Sequence, residues 1–311
     1  GVQTCALPIL HSYYSDDGEF TPEELVRKCS SSGIKVMAIA DHNSVRANAR
    51  GKLEAAKAGI TYIPAIEIDC TFRGVNLHVL GYGIEYESPD FAEIEDNIAA
   101  QGTAASRQML WATRKMGFQV SEQEMEELAK NNFNKDIWTG EMFAEVLLDK
   151  PEYADHPMLR PYRPGGKRAD NPYVNFYWDY YSQGKCCYVK MEYPDLEQVV
   201  DMVHRNKGCA VLAHPGVNLK GHSGLLEPII ETGLFGIEAF SSYHSPEQAA
   251  CYYEAARRNG LIYTCGSDYH GKTKPSICLG GYVSLVTDEE ILGQLGMLME
   301  RRSEEHTSEL Q

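Results

Sequence analysis

Short apolar runs recur along the chain, each closing on a polar residue able to bind a metal. Lys35–Ala40 runs into Asp41-His42, and Ile60–Ile66 into Glu67. Val75–Leu77 leads to His78, Cys209–Ala213 to His214-Pro215, and Leu261–Gly266 to Ser267-Asp268-Tyr269-His270. Ahead of them stands Leu10-His11-Ser12-Tyr13-Tyr14-Ser15-Asp16-Asp17-Gly18. Apolar runs of about four to eight residues between helical stretches read as buried parallel strands. In barrels built from βα units the active site lies at the C-terminal strand ends. Ligands delivered there from several strands are expected to converge.

The helices announce themselves by their starts. Thr21-Pro22-Glu23-Glu24 combines an N-cap threonine, proline in the first turn and a glutamate that closes a capping box. That helix is expected to run to Ser32, and a second spans Ala47–Ala58. Ser121-Glu122-Gln123-Glu124, Ser245-Pro246-Glu247-Gln248 and Thr287-Asp288-Glu289-Glu290 open others in the same manner. Strands are expected again at Gly236–Phe240 and Gly281–Leu285, and a helix at Asp195–Asn206. Between these two βα stretches the chain turns helical and aromatic-rich, with an irregular middle over Tyr153–Asn175. The expected layout is a first barrel part over 10–87, a helical cap inserted over 88–195 and a second barrel part over 196–301. Gly1–Ile9 and Arg302–Gln311 read as in-frame translations of sequencing-library adapters and are set apart from fold reasoning.

Composition narrows the class. A chain of 311 residues with 43% hydrophobic and 23% charged residues is ordinary for a globular protein. No apolar stretch approaches the roughly 20 residues of a membrane span. The net charge of −15 speaks against a broad grip on duplex DNA. It leaves a small phosphorylated substrate open, because bound divalent cations dominate their local field. The 9 cysteines are scattered without a Cys-x-x-Cys, the pattern of reduced thiols in a cytoplasmic protein. Nothing in the pattern speaks to oligomeric state.

The candidate chemistry is that of a metal centre. His11, His42, His78, His214 and His270 join Glu67, Asp268 and either Asp16 or Asp17. Imidazole and carboxylate without thiolate suits Mn, Fe, Zn or Mg. The set exceeds the four ligands of one tetrahedral ion, so two or three divalent ions sharing Glu67 are expected. Closely spaced ions suit phosphoryl displacement.

The order His-Ser-x-x-Ser-Asp-Asp-Gly, Asp-His, Glu, Leu-His, Ala-His-Pro and Ser-Asp-x-His resembles that of the PHP (polymerase and histidinol phosphatase) superfamily of phosphoesterases, over about 10–300. The resemblance implies an α/β fold, a distorted (β/α)7 TIM-like barrel, with a trinuclear metal site. It implies a first ion on His11, Glu67 and Asp268, a second on Glu67, His78 and His214, and a third on Asp16 (or Asp17), His42 and His270. The family's first motif is His-x-His, and here Ile9 stands at its first histidine.

The long insertion is similar to that of the subgroup that dephosphorylates nucleoside 3′,5′-bisphosphates such as pAp and trims short RNA from its 5′ end. That resemblance implies a cap that binds phosphate and base. Lys135, Arg160, Arg163, Lys167 and Arg168 are its basic candidates, and Tyr162, Tyr173, Phe176 and Trp178 its stacking candidates. His244, just past a strand, is expected at the substrate phosphate, with Asp268 and His214 guiding protons. The implied reaction is phosphate-ester hydrolysis by a metal-activated hydroxide. Its rivals are histidinol-phosphate phosphatase and an inactive PHP-like binding or structural module.

Overall fold

The computed structural model describes residues 9–308, with side chains up to 300. The two adapter-like ends lie outside the described residues, apart from Ile9 and the helical backbone over 302–308.

The first part of the chain runs β1 (Ile9–Leu10), α1 (Pro22–Ser31), β2 (Val36–Ile39), α2 (Ala47–Lys57), β3 (Thr61–Tyr62), β4 (Ala65–Phe72) and β5 (Val75–Tyr82). A helical stretch follows: α3 (Pro89–Lys115), α4 (Glu122–Ala129), α5 (Gly140–Asp149) and α6 (Pro172–Tyr180). The βα rhythm resumes with α7 (Leu196–Arg205), β6 (Cys209–Leu212), α8 (Pro215–Asn218) and α9 (Leu226–Ile230). It closes with β7 (Gly236–Ser241), α10 (Pro246–Arg258), β8 (Ile262–Gly266) and α11 (Asp288–Ser308).

The caps form as the sequence requires. Thr21 and Glu24 close a capping box on α1, and Ser121 with Glu124 does so on α4. Ser245 with Gln248 caps α10. Each box satisfies backbone donors that the first helical turn leaves without partners.

Strands β1, β2 and β3 form one parallel sheet. Strands β4 to β8 form a second, in sequence order. The two sheets do not merge into one closed sheet among the described residues, but isolated bridges join them at Leu10↔Tyr269 and His42↔Glu67. Contrary to an all-parallel reading, β4 pairs antiparallel with β5, and β5 with β6. The reason is the tight turn Arg73-Gly74, where both residues take positive φ (50° and 81°) and Phe72 faces Val75. Such a two-residue turn matches the twist of a hairpin. Consequently Glu67 and His78 lie inside strands rather than at strand ends.

Two further expectations are corrected. Ile60–Ile66 is split at Ile63-Pro64 into β3 and β4. Gly281–Leu285 forms no strand: Tyr282 and Val286 pack their apolar surface on the core of β7 and β8 instead of pairing.

The core reflects this layout. Ile237, Ala239, Phe240 and Cys265 pack with Leu80, Val211 and α10 and α11. Ile66, Ile68, Leu77 and Val79 bury the other face against α7. The helical stretch has an apolar cluster of its own, including Leu110, Phe118, Trp138, Phe143 and Phe176.

Candidate metal centre

The centre assembles where β1, β2, β4, β5, β6 and β8 face one another. His11 follows β1 directly, and its backbone N–H donates to the Tyr269 carbonyl after β8 (3.0 Å). The loop it opens is tied down by Asp41, whose carboxylate accepts from the Ser12 amide (2.5 Å) and Ser12 Oγ (2.6 Å). His42 is placed by the bridge between β2 and β4. Asn43, His214 and Asp268 all take positive φ (54°, 21° and 54°). Residues with a Cβ adopt this region rarely, and such strain concentrates at functional sites.

Glu67 is fully buried at the middle. Its Oε2 lies 3.2 Å from His11 Nε2, and its Oε1 lies 2.7 Å from His78 Nδ1 and 2.9 Å from His214 Nε2. His11 Nε2 is 3.0 Å from Asp268 Oδ1. His270 Nε2 is 3.1 Å from Asp17 Oδ2, and the rings of His11 and His270 stack with centroids 3.9 Å apart. Four overlapping groups result: His11, Asp17, His42 and His270; His42, Asp69 and His78; Glu67, His78 and His214; His11, Glu67 and Asp268. Within each group the ligand atoms lie within 4.8 Å of one another.

The donor set fits divalent cations on an internal criterion. His11 Nε2, Asp17 Oδ1, His42 Nδ1, Glu67 Oε2, His78 Nδ1 and Asp268 Oδ1 are buried without a hydrogen-bond partner, although several lie close together. Unpartnered buried polar atoms are costly and rare. Two ligands at roughly 2 Å from one ion stand roughly 3 Å apart, the spacing seen here.

The charges point the same way. Burial pushes Glu67 up, but His42 and His214 outweigh it and hold the carboxyl well below its usual range. Asp268 is likewise held low against burial, chiefly by Lys274 and His270. Burial lowers His42 to about 4. His78 is raised to about 10, the charge of Asp69 overcoming burial. Against burial, Asp268 and Glu67 raise His11 as well, so the centre favours positive charge, which a divalent ion would bring.

Several predicted residues stand elsewhere. Asp16 is absent from every group: its Oδ1 accepts from Asn134 Nδ2 (2.9 Å), and burial raises it to about 7. The neighbouring Asp17 occupies the position expected of it. His244 does not face the centre with a free nitrogen. Its Nδ1 bonds the Ala239 carbonyl (2.8 Å) and its Nε2 accepts from the Gly216 amide (3.0 Å). It thus braces the turn that carries His214. Arg163 is spent on the carbonyls of Leu148 and Tyr153 (3.0 Å each). Arg168 pairs with Asp179. Lys135, Arg160 and Lys167 are exposed. Of the stacking candidates, Phe176 is fully buried in the helical core, and Tyr162 is buried there against it.

Sequence reasoning missed Asp69, Tyr243, Glu238 and Lys274. Lys274 is a buried ammonium whose Nζ bonds Asp268 Oδ2 (2.7 Å) and lies 3.4 Å from His270 Nε2. Tyr243 Oη donates to the same oxygen. Asp69 alternates with Glu67 along β4, a period-two signal visible only once the hairpin is known. Lys274 sits on an irregular loop and left no sequence signal.

Known proteins place this geometry. The family model for the PHP domain matches residues 10–156. The chain is 28% identical over 265 residues to the phosphoribosyl 1,2-cyclic phosphate 1,2-diphosphodiesterase of Eggerthella lenta, covering 85% of this chain and 93% of the relative. It is 27% identical to the 5′-3′ exoribonuclease Rnm of Escherichia coli, covering 92% of each. It is 26% identical to the 3′,5′-nucleoside bisphosphate phosphatase of Chromobacterium violaceum, covering 82% and 84%. A solved structure from Bifidobacterium adolescentis, described as a metal-dependent phosphoesterase, shares the fold with a TM-score of 0.76 at 23% identity, covering 97% of each chain. Fold, donor set and relatives together define a metal-dependent phosphoesterase. The chain thus resembles PHP-domain proteins over its first half and is similar to phosphoesterases along most of its length. No helix among the described residues is long and apolar enough to cross a membrane.

Proposed function

We propose that this enzyme hydrolyses a phosphate ester on ribose: a nucleoside 3′,5′-bisphosphate or the 5′ end of a short RNA. The observation that carries the reading is the set of buried, unpartnered ligand atoms converging around Glu67. The relatives' names support it, one being a phosphoribosyl cyclic phosphate diphosphodiesterase, one an exoribonuclease and one a nucleoside bisphosphate phosphatase. The name of the Eggerthella relative favours a second reading within the same chemistry, a cyclic phosphate on ribose.

We assign ion binding to His11, Glu67 and Asp268, to Glu67, His78 and His214, and to Asp17, His42 and His270. When bound, divalent ions here supply charge against the phosphate oxygens and lower the pKa of water toward neutrality. Lys274 and Tyr243 grip Asp268 Oδ2, so that its Oδ1 faces His11. Asp268 and His214 are the groups we assign to proton movement at the reacting ester. The two sheets, joined by their isolated bridges, read as one interrupted, distorted TIM-like barrel. The helical stretch over 88–195, with its own apolar cluster, reads as a cap on it.

The test is a parallel assay of the chain and its Ile9→His variant, each loaded with Mn²⁺ or Zn²⁺. The substrates are adenosine 3′,5′-bisphosphate, a 5′-phosphorylated short RNA, a ribose cyclic phosphate and histidinol phosphate. Turnover of one or more ribose esters is expected, faster in the variant. Turnover of histidinol phosphate alone would overturn the reading, and an inert, metal-free Ile9→His variant would favour a binding module.

A further inference from the structure

We propose that Asp69 is a positioning residue of this centre, holding His78 so that its Nδ1 is presented to the ion shared with Glu67 and His214. The inference rests on the metal-dependent reading above.

The hairpin puts Asp69 directly opposite His78. Opposed residues share a face of the sheet, and Glu67, two residues before Asp69, points to that face as well. His78 thus meets a carboxylate at each ring nitrogen. Nδ1 lies 2.7 Å from Glu67 Oε1, and Nε2 lies 2.9 Å from Asp69 Oδ1. The two ends differ. Nδ1 is buried without a hydrogen-bond partner, beside Glu67 and His214, so it is the nitrogen left for an ion.

Asp69 itself is fixed independently of any ion. Its Oδ2 accepts from Asn43 Nδ2 (2.6 Å), and its own amide donates to Asn43 Oδ1 (3.0 Å). Asn43 takes a left-handed φ of 54° to make both bonds. With Oδ2 engaged, Oδ1 is the oxygen that meets the Nε2–H of His78. A carboxylate on the distal N–H of a ligating imidazole selects its tautomer, sets its ring plane and raises its basicity. The chain Asn43–Asp69–His78 therefore prepares the second ion position before metal arrives.

The experiment measures Zn²⁺ and Co²⁺ binding to the wild-type chain, Asp69→Ala and Asp69→Asn by chelator competition. Metal content and the visible spectrum of the Co²⁺-loaded forms are recorded, with the melting temperature of each metal-stripped protein as a folding control. Asp69→Ala is expected to bind one ion roughly 10–100-fold more weakly. At saturation it should keep the wild-type metal content with an altered Co²⁺ spectrum. Asp69→Asn, which retains an acceptor for Nε2–H, should lose less. Wild-type affinity and spectrum in Asp69→Ala would overturn the inference alone, as would loss of one whole ion with the others untouched, which would make Asp69 a ligand. A wild-type chain that binds neither metal would overturn the reading of the centre and this inference with it.

Discussion

Asp16 and Asp17 are adjacent acids with opposite fates, set by what each side chain meets. Asp17 faces His270, with His42 and His11 nearby, and against the cost of burial these imidazoles hold its carboxyl far below the usual range. Asp16 meets Asn134 instead, and burial raises it to about 7. Asp17→Asn is therefore expected to cost more metal affinity and turnover than the roughly 10–100-fold typical of residues behind the ligands. Asp16→Asn should stay within a few-fold of wild type. Metal titration and kcat/KM of the two variants check this, and the reverse order would exchange their roles. The same scale explains His244. With one nitrogen on a carbonyl and the other on an amide, the ring has nothing left for a phosphate. Burial, the largest influence, lowers it to about 4, so it is neutral as those two bonds require.

At the scale of elements, the centre depends on turns that hold ligands still. The Ser12–Gly18 loop is the tightest of them. A Cβ on Gly18 would collide with the carbonyl of Ser12, whose amide and hydroxyl are held by Asp41. That neighbour is backbone and has little room to yield. Gly18→Ala is thus expected to destabilise the protein by about 1–3 kcal/mol, as overpacking does, and to weaken metal binding through His11 and Asp17. Denaturant melts and metal content measure both, and wild-type values for both would show that the loop is slack. The β4–β5 hairpin works by another means. Its antiparallel pairing brings Glu67, Asp69 and His78 onto one face, which separate parallel strands would supply only one at a time.

At the scale of the molecule, the helical stretch closes on the strands through charged and polar groups. Lys272 bonds Glu145 on α5, and the Ser276 amide donates to Asn171. Glu141, also on α5, lies at the same junction beside Asp17, Thr139 and Thr273. Burial, then the charge of Asp17, raises its carboxyl from 4.5 to about 7. Folding thus favours its protonated form, so the folded state binds more protons than the unfolded chain across that interval. The contribution of Glu141 to the stability of the metal-stripped protein should fall as pH rises from about 4.5 to about 7 and then level off. Glu141→Gln cannot titrate. It should match wild type near pH 4.5 and exceed it at pH 8 by up to roughly 3 kcal/mol. Urea melts at both pH values test this, and an unchanged difference would mean that Glu141 is ionised in the folded state. The sequence by itself determined several helix starts, most strands and the imidazole and carboxylate set, because capping boxes, apolar runs and ligand-type residues act within a few residues of one another. Only the tertiary structure decided that Asp17 rather than Asp16 faces the histidines, that His244 braces a turn, and that Asp69 and Lys274 stand at the centre. Those outcomes depend on which side chains meet across the hairpin and between distant loops, where burial and neighbouring charge, not local spacing, settle each group's state.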